Sequence, residues 1–167
     1  MSGDAIAADV LQIVPIALVA LALVAAGWRP AARRLETAPA VAIGLLLTCA
    51  TIAVITLAPA PAAFANPSES CLHRGWQPDW VPWPLVGTVN GRSLNVWMFV
   101  PLGVFAAVTG RRWLIAVGVL MPFGIEAAQR ILPLGRFCDT RDVGDNVYGF
   151  LIGTAIGLAL RWWKRQT

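Results

Sequence analysis

Long apolar stretches alternate with short polar segments along the whole chain. A helix that crosses the hydrocarbon core of a bilayer needs about 20 mainly apolar residues. Five stretches meet or approach that length, at residues 8–28, 38–58, 92–109, 113–132 and 143–160. No segment between them is long enough or polar enough to form a separate soluble domain. The pattern predicts one all-α membrane domain over residues 1–167, a polytopic transmembrane bundle of about five spans.

The first apolar stretch is expected to be a retained span. It follows the segment MSGDAIAAD, which holds two aspartates and no lysine or arginine. A secretory signal peptide has a positively charged start and a short apolar core. Here the start is acidic and the apolar run extends from Val10 to Trp28, which is too long for that core.

Composition supports the membrane class. The chain is 57% hydrophobic and 13% charged, whereas a soluble domain has about 25% charged residues. The net charge is +4, but the basic residues form short clusters between apolar runs instead of one continuous patch. Nucleic acid is therefore not an expected partner. The expected partner is the lipid bilayer.

The distribution of basic residues predicts the orientation. Basic residues concentrate in RPAARR at 29–34, GRR at 110–112 and RWWKRQT at 161–167. With five spans, these three segments fall on the same side of the membrane, and the cytoplasmic side is the one enriched in lysine and arginine. The predicted topology places the N-terminus outside and the C-terminus inside.

The clearest candidate for an ionisable group inside a predicted span is Glu126, in the segment GIEAAQRIL. Ionisable groups inside a membrane are costly and are usually paired or functional. Gln129 shares the helix face of Glu126, and Arg130, four residues on, is placed to form an ion pair. Two interpretations stay open: a pair or hydrogen bond that fixes helix register, or a functional carboxylate.

A dense polar segment, LGRFCDTRDVGDNVYG, leads into the last span. Its charged and amide residues are Arg136, Asp139, Arg141, Asp142, Asp145 and Asn146. Asp142 and Asn146 are one helical turn apart and face the same way. Either Asp139 or Asp142 is suited to cap the free amides at the helix start. A cap accounts for one aspartate, however, and not for the whole group.

Two further features lie in the third and fifth predicted spans. Asn95 is about one turn into the third span, near the depth expected for Glu126. A lone asparagine there is more often an interhelical hydrogen-bonding residue than a ligand contact. In the last span, Gly149, Gly153 and Gly157 repeat at every fourth position. Such a stripe lets another helix approach closely, so we assign these glycines to helix packing.

Familiar enzyme motifs are missing from the sequence. There is one histidine, His73, so no histidine pair is available for zinc. The sequence has no G-x-S-x-G, Walker A or dinucleotide-binding motif, and its three cysteines form no C-x-x-C. We therefore expect no metal and no cofactor, assign no catalytic residue, and consider a non-enzymatic role the better interpretation.

Three motifs in the C-terminal part of the chain resemble those of the VanZ-like family. They are N-x-x-x-F-V-P-L-G from Asn95 to Gly103, I-E-x-x-Q from Ile125 to Gln129, and R-x-x-D-x-x-D-x-x-x-N-x-x-G from Arg136 to Gly149. Their order and spacing indicate a VanZ-like core at about 92–160. The resemblance implies a multi-pass protein of the bacterial inner (plasma) membrane. The family is named after a protein linked to resistance to glycopeptide antibiotics, chiefly teicoplanin.

These observations support three hypotheses. The first is a protein with an outer-leaflet pocket that binds the polar headgroup of a lipid-linked envelope component or a lipidated glycopeptide. The proposed ligand-binding residues are Asn95, Glu126, Gln129, Arg136, Asp139, Asp142 and Asn146. The second is a membrane enzyme that acts on a lipid headgroup, with Glu126 or Asp142 as general base. The third is a structural partner of another envelope protein. The sequence does not indicate the oligomeric state.

The cysteines carry one more prediction. Cys71 and Cys138 fall in the two predicted outer loops, whereas Cys49 falls within the second span. Two cysteines on the same oxidising side of the membrane favour a disulfide bond. A Cys71–Cys138 bond would tie the proline-rich outer loop over the polar residues.

Overall fold

The computed structural model describes residues 3–59, 91–132, 134 and 140–167. Side chains are described from residue 13 onward, except that of Thr140. In this part of the chain, all regular structure is helical. The helices are α1 (Gly3–Leu35), α2 (Pro39–Leu57), α3 (Gly91–Thr109), α4 (Arg112–Ile131) and α5 (Thr140–Trp163). All five are long and apolar enough to cross a membrane. The predicted all-α fold with five spans is confirmed.

The first helix extends beyond the predicted span. The basic segment 29–34, expected to be a connection, forms the last turns of α1, which ends at Leu35. Hydropathy locates where a helix leaves the hydrocarbon, whereas the helix itself ends where the backbone changes conformation. That change occurs at Glu36, whose φ of 51° lies in the left-handed region. α2 then begins with Pro39 in its first turn, a position that needs no amide donor.

Helices α3 and α5 are parallel and form the most extensive contact in the bundle. A side-chain pair links Arg92 of α3 to Asp145 of α5, 53 residues later. The same separation relates Val96 to Gly149, Val100 to Gly153 and Val104 to Gly157, whose backbones lie against each other. A Cβ atom on any of these three glycines would meet the α3 backbone, so the absence of side chains allows this approach.

The core lies between α2, α3, α4 and α5. Phe99 and Phe150 are fully buried, and the core also contains Leu45, Ile52, Leu102 and Ile125. α1 packs chiefly against α2, and many of its apolar side chains stay exposed, with Leu18 61% and Leu23 67% accessible. An exposed apolar surface of this kind suits contact with lipid.

The two short turns of the bundle are joined to each other. Arg111, in the turn between α3 and α4, forms an ion pair of 2.7 Å with Glu36 in the turn between α1 and α2. Its Nε also donates to the carbonyl of Leu35 at 3.3 Å, which satisfies an acceptor at the end of α1. The Arg161 guanidinium of α5 lies against Gly110 in the same region. We call this end of the bundle the turn end.

The opposite end of the bundle is formed where α2 and α4 finish and α3 and α5 begin. We call it the loop end, since residues 60–90 connect α2 to α3 there. The N-out, C-in orientation would place the loop end outside and the turn end inside the cell. That orientation stays a prediction.

Candidate functional site

Polar side chains lie near the loop-end termini of four helices. The last turns of α2 and α4 and the first turns of α3 and α5 bring them there. The members of this polar cluster are Thr56, Arg92, Ser93, Asn95, Glu126, Gln129, Asp142, Asp145 and Asn146. The core residues Ile52, Phe99 and Phe150 lie beneath the cluster.

The best-defined contact in the polar cluster joins Arg92 and Asp145. Arg92 Nε donates to Asp145 Oδ2 at 2.9 Å, and Nη2 donates to Oδ1 at 3.1 Å. The fork of the guanidinium thus matches the two carboxylate oxygens, the geometry that makes such pairs strong and directional. The Asp145 side chain is 9% exposed and that of Arg92 is 35% exposed. The Arg92 side chain is therefore partly exposed.

Asn146 follows Asp145 and is 3% exposed. Within the described residues, no donor reaches its Oδ1 atom. A buried acceptor left unsatisfied costs about 1–3 kcal/mol. The 53-residue register of α3 and α5 places Ser93, which is also buried, opposite Asn146. The polar cluster therefore contains a buried acceptor that a donor from outside the described chain could satisfy.

A second contact ties α4 to α2. Gln129 Nε2 donates to the backbone carbonyl of Thr56 at 2.8 Å. The Thr56 hydroxyl in turn donates to the carbonyl of Ile52 at 2.7 Å. Gln129 therefore has a positioning role, because it fixes the end of α4 against the end of α2 beside the other polar residues.

Glu126 and Asp142, the two carboxylates proposed from the sequence, are both half-buried. Glu126 is three residues before Gln129 on α4, and Asp142 is one turn before Asp145 and Asn146 on α5. Arg130, considered as an ion-pair partner for Glu126, has an exposed side chain. Both carboxylates lie toward the loop end of their helices.

Asn95 is half-buried near the start of α3. Helical spacing places it on the face that continues through Phe99 and Leu102 into the core. It therefore lies above the core, and Arg92, three residues earlier, is its neighbour on the surface of α3.

Four proposed residues lie outside the described residues. Arg136 and Asp139 belong to the ligand-binding hypothesis, and Cys71 and Cys138 to the disulfide hypothesis. The described cysteine, Cys49, is half-buried in α2 and is a free thiol. The Cys71–Cys138 bond therefore stays a prediction.

Sequence reasoning did not identify Arg92 or Thr56, and it named Asp145 without giving it a role. A signal for Asp145 was present, because it precedes Gly149 by four residues and so extends the glycine stripe by one turn. Arg92 is the first basic residue of the third span, and only the register of α3 on α5 shows which carboxylate it meets. Thr56 contributes a backbone carbonyl, which no side-chain pattern reveals.

The polar cluster combines a guanidinium, carboxylates, amides and hydroxyls at one end of an apolar bundle. Such a set can hydrogen-bond a polar headgroup while the surrounding helices contact acyl chains. In the described ranges, no three His, Cys, Asp or Glu residues are grouped to hold a metal ion. The arrangement suits recognition of phosphate, carboxylate, amine and hydroxyl groups.

The chain matches the model of a known protein family. The model of a family described as VanZ/LLP1 matches residues 16–161. The matched range includes most of α1 and reaches Arg161 in α5, so it contains the whole polar cluster. No curated protein and no solved structure matches the chain.

Proposed function

This chain belongs to the VanZ/LLP1 family, and from that membership we propose that its polar cluster is a binding pocket for the headgroup of a lipid-anchored ligand in the outer leaflet. The ligand class is a lipid-linked envelope component or a lipidated glycopeptide. The protein would act in the bacterial plasma membrane, with the loop end facing outward. The proposal is based on the predicted topology and on the motifs that resemble those of the family.

The observation that carries the proposal is the Asn146 acceptor. Its Oδ1 is buried beside the Arg92–Asp145 pair, with no donor among the described residues. A hydroxyl or amine of a ligand headgroup would donate to this oxygen and recover the 1–3 kcal/mol or so that burial without a partner costs. A site of this kind gains affinity and selectivity from one hydrogen bond, because a ligand that lacks the donor gains nothing there.

The charged residues suit two kinds of group in such a headgroup, the anionic groups and the amines or hydroxyls. Arg141, half-buried in the first turn of α5, and the partly exposed Arg92 would meet a phosphate or carboxylate. Glu126 and Asp142 would accept hydrogen bonds from amines or hydroxyls. Arg136 and Asp139, which precede α5 in the sequence, would complete the proposed residue set. The acyl chains of the ligand would lie on the apolar outer surface of the helices.

The family association supports a glycopeptide as one ligand. Teicoplanin carries polar sugars and a peptide together with an acyl chain, so it offers both a headgroup and a membrane anchor. Binding at the membrane surface would depend on both parts, since buried CH₂ groups contribute about 0.8 kcal/mol each. A resistance role for this protein is part of the proposal.

The test measures binding of labelled teicoplanin, and of teicoplanin with its acyl chain removed, to the protein in nanodiscs. Asn146→Leu removes the buried amide at similar volume. We expect at least tenfold weaker teicoplanin binding with an unchanged or higher unfolding temperature, because an unsatisfied polar group is lost. Wild-type protein should bind deacylated teicoplanin much more weakly than teicoplanin.

Thr154→Val is the matched control. Thr154 is also buried on α5 with a hydroxyl that no described residue satisfies, but it lies two turns farther from the loop end. This variant should keep full teicoplanin binding. Equal binding by Asn146→Leu and wild-type protein would overturn the role of Asn146, and equal loss in both variants would indicate a structural effect.

The carboxylates need a separate comparison. Glu126→Gln and Asp142→Asn keep side-chain shape while removing one charge each. We expect both variants to reduce binding, because both carboxylates are half-buried at the loop end, where the ligand would lie. The folded yield should change little, because side-chain shape is kept. A loss of binding in proportion to lost folded protein would make the polar cluster structural. Release of product from a lipid-linked substrate by purified protein would instead support the enzymatic alternative.

A further inference from the structure

A cavity of about 580 Å³ lies away from the polar cluster, toward the turn end. Its volume falls within the roughly 300–1,000 Å³ typical of ligand pockets. Helices α1, α2, α3 and α4 all contribute to its wall, which is mainly apolar. Among the lining residues are Gly27, Leu45, Cys49, Leu102, Val117 and Met121. α1 packs chiefly on α2, and α4 on α3 and α5, so the cavity lies where α1 and α4 stand apart.

One charged residue, Arg34, contributes to the wall of this cavity. It lies in the last turn of α1, close to the turn end, and its side chain is exposed. Among the described residues, no carboxylate pairs with Arg34, and Glu36 pairs with Arg111 instead. Trp113, which is 56% exposed, also lines the cavity at the start of α4. Tryptophan and arginine at a helix end are typical of the lipid headgroup level.

We propose that this cavity binds one acyl chain of an anionic glycerophospholipid, whose headgroup phosphate is held by Arg34. The apolar wall matches the chain, and Arg34, which pairs with no carboxylate among the described residues, matches the phosphate. Arginine forms charge-assisted hydrogen bonds with a phosphate. In a zwitterionic lipid, the lipid's own cation lies beside the phosphate and weakens the attraction of the arginine. This lipid site is separate from the polar cluster and does not depend on the proposed function.

The test uses native mass spectrometry of the purified full chain with palmitoyl-oleoyl phosphatidylglycerol and with the corresponding phosphatidylcholine. We expect wild-type protein to retain one phosphatidylglycerol in preference to phosphatidylcholine. Arg34→Gln should weaken phosphatidylglycerol retention about tenfold, the effect of losing one charge-assisted contact. The matched control is Arg33→Gln, which removes the same charge from an exposed residue that does not line the cavity. It should retain the lipid within about twofold of wild type.

The acyl-chain part is tested by filling the cavity. A Cβ on Gly27 would meet only the Leu46 side chain, at 3.7 Å, and Gly27 lines the cavity, so we expect the side chain of Gly27→Leu to extend into it. It should reduce retention of both lipids. If Gly27→Leu lowers the unfolding temperature, Val117→Phe replaces it, with Leu120→Phe as control, because Leu120 is 64% exposed and does not line the cavity.

Three results would overturn the lipid site. Equal loss in Arg33→Gln and Arg34→Gln would mean general attraction to a basic surface. Equal retention of the two lipids by wild-type protein would remove the role of the phosphate. Undiminished retention in folded Gly27→Leu and Val117→Phe would show that no acyl chain enters the cavity.

Discussion

Arg92 and Asp145 bind each other through two hydrogen bonds, of 2.9 and 3.1 Å, although they are 53 residues apart in the chain. The pair lies one turn beyond the glycine stripe, in the same register that places Val96 against Gly149. It therefore closes the α3–α5 contact at the loop end. Asp142 and Asn146 of the polar cluster occupy neighbouring positions on α5, so the pair fixes the end of the helix that carries them.

We expect a double-mutant cycle with Arg92→Ala and Asp145→Ala to give a coupling free energy of about 1–3 kcal/mol. Breaking a fully buried pair costs more, but the Arg92 side chain is 35% exposed and water screens part of the interaction. Unfolding in detergent, followed by circular dichroism, measures the effect. Two single variants whose destabilisation simply adds in the double variant would contradict the coupling.

Gly153→Ala should destabilise the bundle by about 1–3 kcal/mol through overpacking. The added Cβ would lie 2.8 Å from the carbonyl carbon of Val100, a backbone atom that cannot turn aside as a side chain does. Gly144→Ala is the control on the same helix, because its Cβ meets nothing within 4 Å. That variant should be neutral or stabilising, since alanine favours helix. The unfolding temperature of Gly153→Ala should therefore fall below that of wild-type protein, and that of Gly144→Ala should not.

Glu36→Gly should raise stability by up to about 1 kcal/mol. Glu36 has a φ of 51°, a conformation that costs an L residue roughly 1–2 kcal/mol and glycine little. The ion pair with Arg111 that the substitution removes is exposed and contributes about 0.2–1 kcal/mol. Thr37→Gly, at a neighbouring residue without positive φ, should lower stability. A lower unfolding temperature for Glu36→Gly would show that the ion pair outweighs the backbone strain.

The orientation can be tested with reporter fusions. A fusion after residue 167 should be active only if the reporter works in the cytoplasm, because eight basic residues lie in the three segments 29–34, 110–112 and 161–167. A fusion within residues 60–90 should report the outer side. Periplasmic-type activity after residue 167 would reverse the orientation and with it the outward-facing pocket.

The disulfide prediction is tested on protein kept non-reduced throughout purification. We expect mass spectrometry of digested protein to find a peptide pair linked through Cys71 and Cys138, and a thiol reagent applied after unfolding to label only Cys49. Reduction before unfolding should expose all three thiols to the reagent. Labelling of Cys71 and Cys138 without reduction would rule the bond out.

Hydropathy was sufficient to predict the number and approximate bounds of the spans, because each helix crosses the membrane on its own apolar character. The predicted spans 38–58 and 113–132 differ from α2 and α4 by a residue at each end. It did not predict that α1 continues through Arg29 and Arg34, because basic residues at the headgroup level remain compatible with helix. Helix ends depend on backbone conformation, which hydropathy does not report.

The polar cluster was predicted only in part. Glu126, Gln129, Asp142 and Asn146 were identifiable because polar residues inside apolar stretches are conspicuous in the sequence. Arg92 was not, because its importance depends on the partner that it meets across the bundle. Pairing across 53 residues follows from how two helices dock, and spacing within one helix contains no information on that docking.

The parallel arrangement of α3 and α5 also sets an order of assembly in the membrane. Two neighbouring helices that point the same way must be joined by a third crossing, here α4, so they enter the bilayer two crossings apart. Arg92 cannot meet Asp145, and the α3 backbone cannot seat against the glycines, until α5 has been synthesised and inserted. The most extensive helix contact of the bundle therefore forms last, after the C-terminal helix has been inserted.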